Sequence, residues 1–208
     1  MKTYKNEKNG TLLLMLCIVV AFIMIFVSDG FAAADTVREE CLRLHVLADT
    51  DSEADQSVKL QVRDAILEET GELFVSCETA SEAVSEASAY KEEIKAVAER
   101  VLKENGFSYG AQVFIEEEYF GTRQYDNVSL PAGNYTALKV VLGEGSGHNW
   151  WCVMFPPLCL PAVSESLEDS VYTVFGENGG NLVTGKSGYK VKFRIVEIAE
   201  SIIEALKS

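Results

Sequence analysis

Hydrophobic positions change period several times along the chain, and each change marks an element. Leu42, Leu44, Val46 and Ala48 alternate with Arg43, His45 and Leu47, the period of a strand with one face in the core, from which Arg43 and His45 point away. Asp49-Thr50-Asp51-Ser52 ends the strand and supplies N-cap candidates. Val58, Val62, Ile66 and Leu73 then recur near helical spacing and predict a first helix. Thr79 followed by Glu82 forms a capping-box pattern, and Ala83, Ala87, Tyr90, Ile94, Val97, Val101 and Leu102 carry a second, longer helix to a stop at Asn105-Gly106. Runs at 113–120, 135–142 and 150–155 are separated by Gly, Asp, Asn and Pro clusters, which predicts three more strands, antiparallel in character. Residues 164–187 carry the weakest pattern and are expected to be the least constrained. Val191, Ile195, Ile198, Ile202 and Leu206 line one face of a closing helix.

The order β-α-α-β-β-β-α predicts an α+β fold in which helices pack on one mixed four-stranded sheet. A right-handed crossover is expected if the first two strands are parallel neighbours. Ahead of this pattern stand Lys2, Lys5 and Lys8, an uncharged apolar block at 12–27, and Ala32-Ala33-Ala34 before Asp35, the layout of a secretory signal peptide. The block falls just short of the roughly 17–25 residues of a transmembrane helix. Residues 1–34 therefore read as a leader cleaved after Ala34, with an uncleaved anchor as the alternative, and 35–208 as a single exported domain.

The formal net charge of −14 repels phosphate backbones and anionic headgroups, which argues against nucleic-acid binding and against a basic patch holding the mature domain on a membrane. Gly143-x-Gly145-x-Gly147 follows a strand, but its third glycine comes one residue early and a Trp-Trp strand follows instead of a helix. The glycines read as turn residues, not a dinucleotide cradle. Asp49, Asp51, Glu53 and Asp55 alternate like the opening of a calcium loop, yet Ala54 and Leu60 stand where Gly and a bidentate Glu are required. Cys152 and Cys159 are too far apart for the usual zinc spacing, and only two histidines exist. No cofactor or metal is expected. An exported chain favours a disulfide between Cys152 and Cys159, helped by the Pro156-Pro157 turn, over a Cys-His nucleophile pair with His148. Cys41 and Cys77 either form a second bridge or remain thiols. Trp150 and Trp151, as neighbours in a strand, face opposite sides of the sheet; one is available to the core, and the other suits a protein contact unless a helix covers it.

Two stretches resemble one family. The run from Leu42 to Ala48, the Asp51-Ser52 and Asp55-Gln56 pairs and the run from Val62 to Leu67 form the first. The second comprises Gly143-Glu144-Gly145, the run from Gly147 to Cys152, and Phe155-Pro156-Pro157-Leu158-Cys159. Both are similar to motifs of the stage II sporulation protein R family, across roughly residues 42–160. The resemblance implies a secreted signalling protein, not an enzyme, exported from the forespore into the space between the two sporangial membranes. There it implies activation of a membrane-embedded aspartic protease of the mother-cell membrane, which processes the sigma-E precursor. A contact ligand of this kind is expected to present His45, Asp51, Asp55, Gln56, Lys59 and Arg63 as one polar face. His148, Asn149, Trp150 or Trp151 and the Pro156-Pro157 turn are expected to form a second. An exported hydrolase using His148 with Cys152 or Cys159, and a cell-wall-binding module using the tryptophans, are the competing readings.

Overall fold

The computed structural model describes residues 2–125, 127–158, 167–186 and 188–207. Its fold is α+β, built on a mixed four-stranded sheet in the order β2-β5-β1-β6. Strand β1 (Leu42–Leu47) pairs in parallel with β5 (Gly133–Leu142) and antiparallel with β6 (Asn149–Phe155), while β2 (Ala111–Phe120) lies antiparallel to β5 at the far edge. The first two strands are thus not neighbours, because β5 inserts between them, so the conditional crossover expectation does not apply. Helices α2 (Glu53–Val75), α3 (Ala80–Ala89) and α4 (Lys91–Glu104) cover one face. Ser52 caps α2, accepting from the Asp55 amide at 3.1 Å, and Thr79 caps α3 while Glu82 reaches back to the Glu78 amide. The long second helix is in fact two, broken at Tyr90, so that Ala80, Ala83 and Ala87 and then Ile94, Ala98 and Val101 all reach the same core.

The opposite face of the sheet is also covered. A short hairpin of β3 (Arg123–Tyr125) and β4 (Val128–Leu130), absent from the pattern-based prediction, packs there with helix α5 (Leu167–Val183) and the end of helix α1 (Lys2–Glu39). Part of the region expected to be least constrained is therefore a helix, held by buried Val171, Phe175, Leu182 and Val183 and turned at Gly176, whose φ is +67°. Its many polar residues hid a sparse apolar stripe. Helix α6 (Tyr189–Lys207) packs on α1 and α5 outside the sheet layer. Val196 and Lys192 face inward, whereas of the predicted stripe Ile195 is half-buried and Val191, Ile198, Ile202 and Leu206 are exposed. Periodicity finds an apolar stripe, but it cannot say whether anything within the same chain covers it.

The end of the apolar N-terminal helix joins the fold. Residues 29–39 of α1 are part of the fold, and Ala33 and Ala34 form a third core cluster with Leu182 and Val196. The residues before them, from Leu12 to Met24, are apolar and exposed, compatible with a signal sequence and secretion.

Candidate functional site

Because β5 runs parallel to β1 and β6 antiparallel to it, the C-terminal ends of β1 and β5 and the N-terminal end of β6 meet at one end of the sheet. Leu47 lies opposite both Val141 and Asn149. This register brings the acidic β1–α2 loop against the glycine-rich β5–β6 loop. The two are then laced together. The Gly147 amide donates to the Ala48 carbonyl at 2.9 Å, Ser146 to the Asp49 carbonyl at 3.0 Å, and the Glu144 amide to the Asp49 carboxylate at 2.6 Å. The glycines make this contact possible. A Cβ at Gly147 would stand 2.2 Å from the Thr50 carbonyl oxygen, and Gly143, at φ +57°, leaves the space that the Asp49 carboxylate fills.

On this base the side chains of both motifs form one surface. Asp51 accepts from the His148 amide at 2.6 Å and from His148 Nδ1 at 2.5 Å. These bonds hold its carboxyl below the usual range. Lys59 is almost wholly buried; its ammonium donates to the His148 carbonyl at 2.8 Å and to Gln56 Oε1 at 2.6 Å. Desolvation pulls the Lys59 pKa down, with the Asp51 charge opposing it. Gln56 in turn donates to the Thr50 carbonyl at 3.0 Å. Arg63, a turn further along α2, stacks over the Trp150 ring at 4.3 Å from its centroid, and Trp150 keeps 38% of its surface exposed. Asp51, Gln56, Lys59, Arg63, His148, Asn149 and Trp150 are thus neighbours at one end of the sheet, not two separate faces.

Four expected residues, His45, Asp55, Pro156 and Pro157, are not part of this surface. His45 is 3% exposed and sits on the other side of the sheet, its Nδ1 on the Glu118 carboxylate at 2.5 Å and its ring edge-on to Phe120 and Trp151. Alternation correctly turned it away from the first core, but the second face is covered too. Asp55 is buried scaffold: it accepts from Thr50, from Ser52 at 2.8 Å and from Tyr109 at 2.5 Å, and these hydroxyls hold its carboxyl below the usual range. Pro156 and Pro157 follow the far end of β6, about 20 Å from Trp150 at the rise of a strand. The two tryptophans do face opposite sides. Trp151 packs against His45 and Phe120 with the Arg123 guanidinium 4.1 Å from its ring centroid. A groove of about 360 Å³ beside it is lined by Arg123, Gln124, Tyr125, Asn149, Trp150 and Trp151. Sequence reasoning missed Tyr109, Glu118 and Arg123, which reach the motifs only through sheet pairing and the hairpin.

Cys152 is buried and disulfide-bonded, while Cys41 and Cys77 are free thiols. Cys159 lies outside the described residues. Burial pushes the Cys41 thiol up to about 12, the state of an inert core cysteine. Among the described residues no group of three or more His, Cys, Asp or Glu side chains could hold a metal.

Fold and site define an α+β domain on an apolar N-terminal helix, with a surface patch made by one loop fastened onto another. A family model for stage II sporulation protein R (spore_II_R) matches residues 38–165. The stage II sporulation protein R of Bacillus subtilis (strain 168) is 32% identical over 155 residues, covering 70% of this chain and 69% of that one. No solved structure is a significant match. The chain belongs to the stage II sporulation protein R family, and its role is in sporulation.

Proposed function

We propose that this chain is an exported signalling protein that switches on, by direct contact, a membrane-embedded aspartic protease of the mother-cell membrane, which then processes the sigma-E precursor. The observation that carries this reading is the fastening of the two motifs into a single exposed patch. Residues far apart in sequence are spent on presenting Asp51, Gln56, Arg63, His148, Asn149 and Trp150 together. An arginine of α2 stacked on a tryptophan of the edge strand β6 has the make-up of a protein hot spot. Such a ligand acts by binding the active state of its receptor better than the inactive one. The Asp51–His148 pair would orient a general base, but a disulfide-bonded, buried Cys152 supplies no thiolate for it. The test is reconstitution of the purified chain with the protease and the sigma-E precursor. His148→Ala and Trp150→Ala keep their circular dichroism and lose precursor cleavage; full cleavage with both variants overturns the assignment, as does cleavage by the chain without the protease.

A further inference from the structure

We infer that α1 is not removed and that the protein works as a membrane-tethered ligand, its domain folded around the base of its own anchor. The small-residue triplet that would mark cleavage, Ala32-Ala33-Ala34, lies in the last turns of a continuous helix running from Lys2 to Glu39. Ala33 and Ala34 are 3% and 0% exposed, packed against Leu182 of α5 and Val196 of α6. Peptide bonds are cut where the chain is exposed and can extend; the bond after Ala34 is helical, and its Ala34 side is buried.

The contacts on the leader side of Ala34 are specific. Asp29 pairs with the ammonium of Lys192, a residue only 9% exposed. A Cβ on Gly30 would approach the Lys192 Cβ to 3.0 Å, so the helices meet there with no room to spare. Lys192 also lies 5.1 Å from the Phe26 ring centroid and 4.2 Å from that of Tyr189. A cut after Ala34 would strip Lys192 of its carboxylate and put a charged amine beside the core. It would also leave five residues of helix, 35–39, too few to hold their shape alone.

The rest of α1 suits a bilayer. Lys8 and Asp29 bracket twenty uncharged residues; at about 1.5 Å per residue these span roughly 30 Å, the thickness of a hydrocarbon core. Counted between its charges, the segment is longer than its apolar block alone suggests. Lys2, Lys5 and Lys8 keep the N-terminus on the inner side, which leaves the acidic domain outside. A tethered domain reaches only a receptor within a short distance of its own membrane; that consequence rests on the activator reading, whereas retention of α1 does not.

The experiment expresses the full chain with a C-terminal tag in an exporting bacterium and reads its mass, its N-terminus and its fraction. The expected product is the uncleaved chain, in the membrane pellet after a carbonate wash, with its domain open to externally added protease. Ala32→Gln spoils the cleavage triplet at an exposed position without touching the packing of Ala33 and Ala34, and is expected to give a product of the same size in the same fraction. A product beginning at Asp35, in any fraction, overturns the inference, as does a shift to a larger product in Ala32→Gln. Because these readouts ignore precursor cleavage, an intact, membrane-held chain that fails to activate the protease would sink the activator role and leave the tether standing.

Discussion

Replacing Gly147 with alanine isolates the loop contact on which the candidate site depends. The added Cβ would lie 2.2 Å from the Thr50 carbonyl oxygen and 2.5 Å from its carbon. Both are backbone atoms, so no side-chain rotation relieves the overlap. Ordinary contact begins at 3.4 Å, so the loops must part by 1.2 Å. That stretches the 2.9 Å bond from the Gly147 amide to the Ala48 carbonyl to about 4.1 Å, beyond hydrogen-bonding range, and the neighbouring 3.0 Å bond from Ser146 goes with it. At about 1 kcal/mol net per bond the loss is roughly 2 kcal/mol, or about 4–8 °C in unfolding midpoint for a chain of this size. The sheet core stays intact while His148 and Trp150 move, so precursor cleavage falls well before the fold does. The assays are thermal unfolding, tryptophan fluorescence and reconstituted cleavage. Gly121→Ala, where an added Cβ meets nothing within 4 Å, serves as the control and is expected to be silent. A Gly147→Ala variant with unchanged midpoint and full activity would refute the claim that the loop junction organises the site.

Lys59→Met removes the ammonium that fixes the His148 carbonyl and Gln56; a bond from a charged donor is worth roughly 1.5–3 kcal/mol, so activation drops by roughly ten- to hundredfold in a dose–response of cleavage. Arg63→Ala shifts Trp150 emission to the red and lowers stability by only about 0.5–1 kcal/mol in a denaturant titration. Asp55 has a folded pKa below its ordinary 3.8, so its stabilisation is complete above that value and drains away as pH falls through the folded pKa. The midpoint gap between wild type and Asp55→Asn is therefore flat from pH 8 to about pH 4 and closes below it. In the native, unreduced chain a thiol-reactive probe at neutral pH leaves Cys41 and Cys152 unlabelled; labelling at Cys152 would revive the hydrolase reading.

Much of this protein is local. Alternation from Leu42 to Ala48, the cap at Ser52, the box at Thr79 and Glu82, and the long strands at 113–120 and 135–142 are short-range patterns, and the chain's own periodicity determines them. The two motifs were legible as unusual stretches for the same reason. Pairing was not. Nothing in residues 48–51 or 143–148 says that they touch; insertion of β5 between β2 and β1, with β6 on the other side, decides it. The same long-range choice buried His45 with Glu118, made Asp55 a scaffold beside Tyr109, and put Pro156 at the wrong end of a strand to join Trp150. It also brought Ala33 and Ala34, near the end of α1, into packing against Leu182 and Val196. Sequence sets which face of an element is apolar, since that depends only on neighbours along the chain; what each face meets depends on elements a hundred residues away, and only the folded arrangement supplies it.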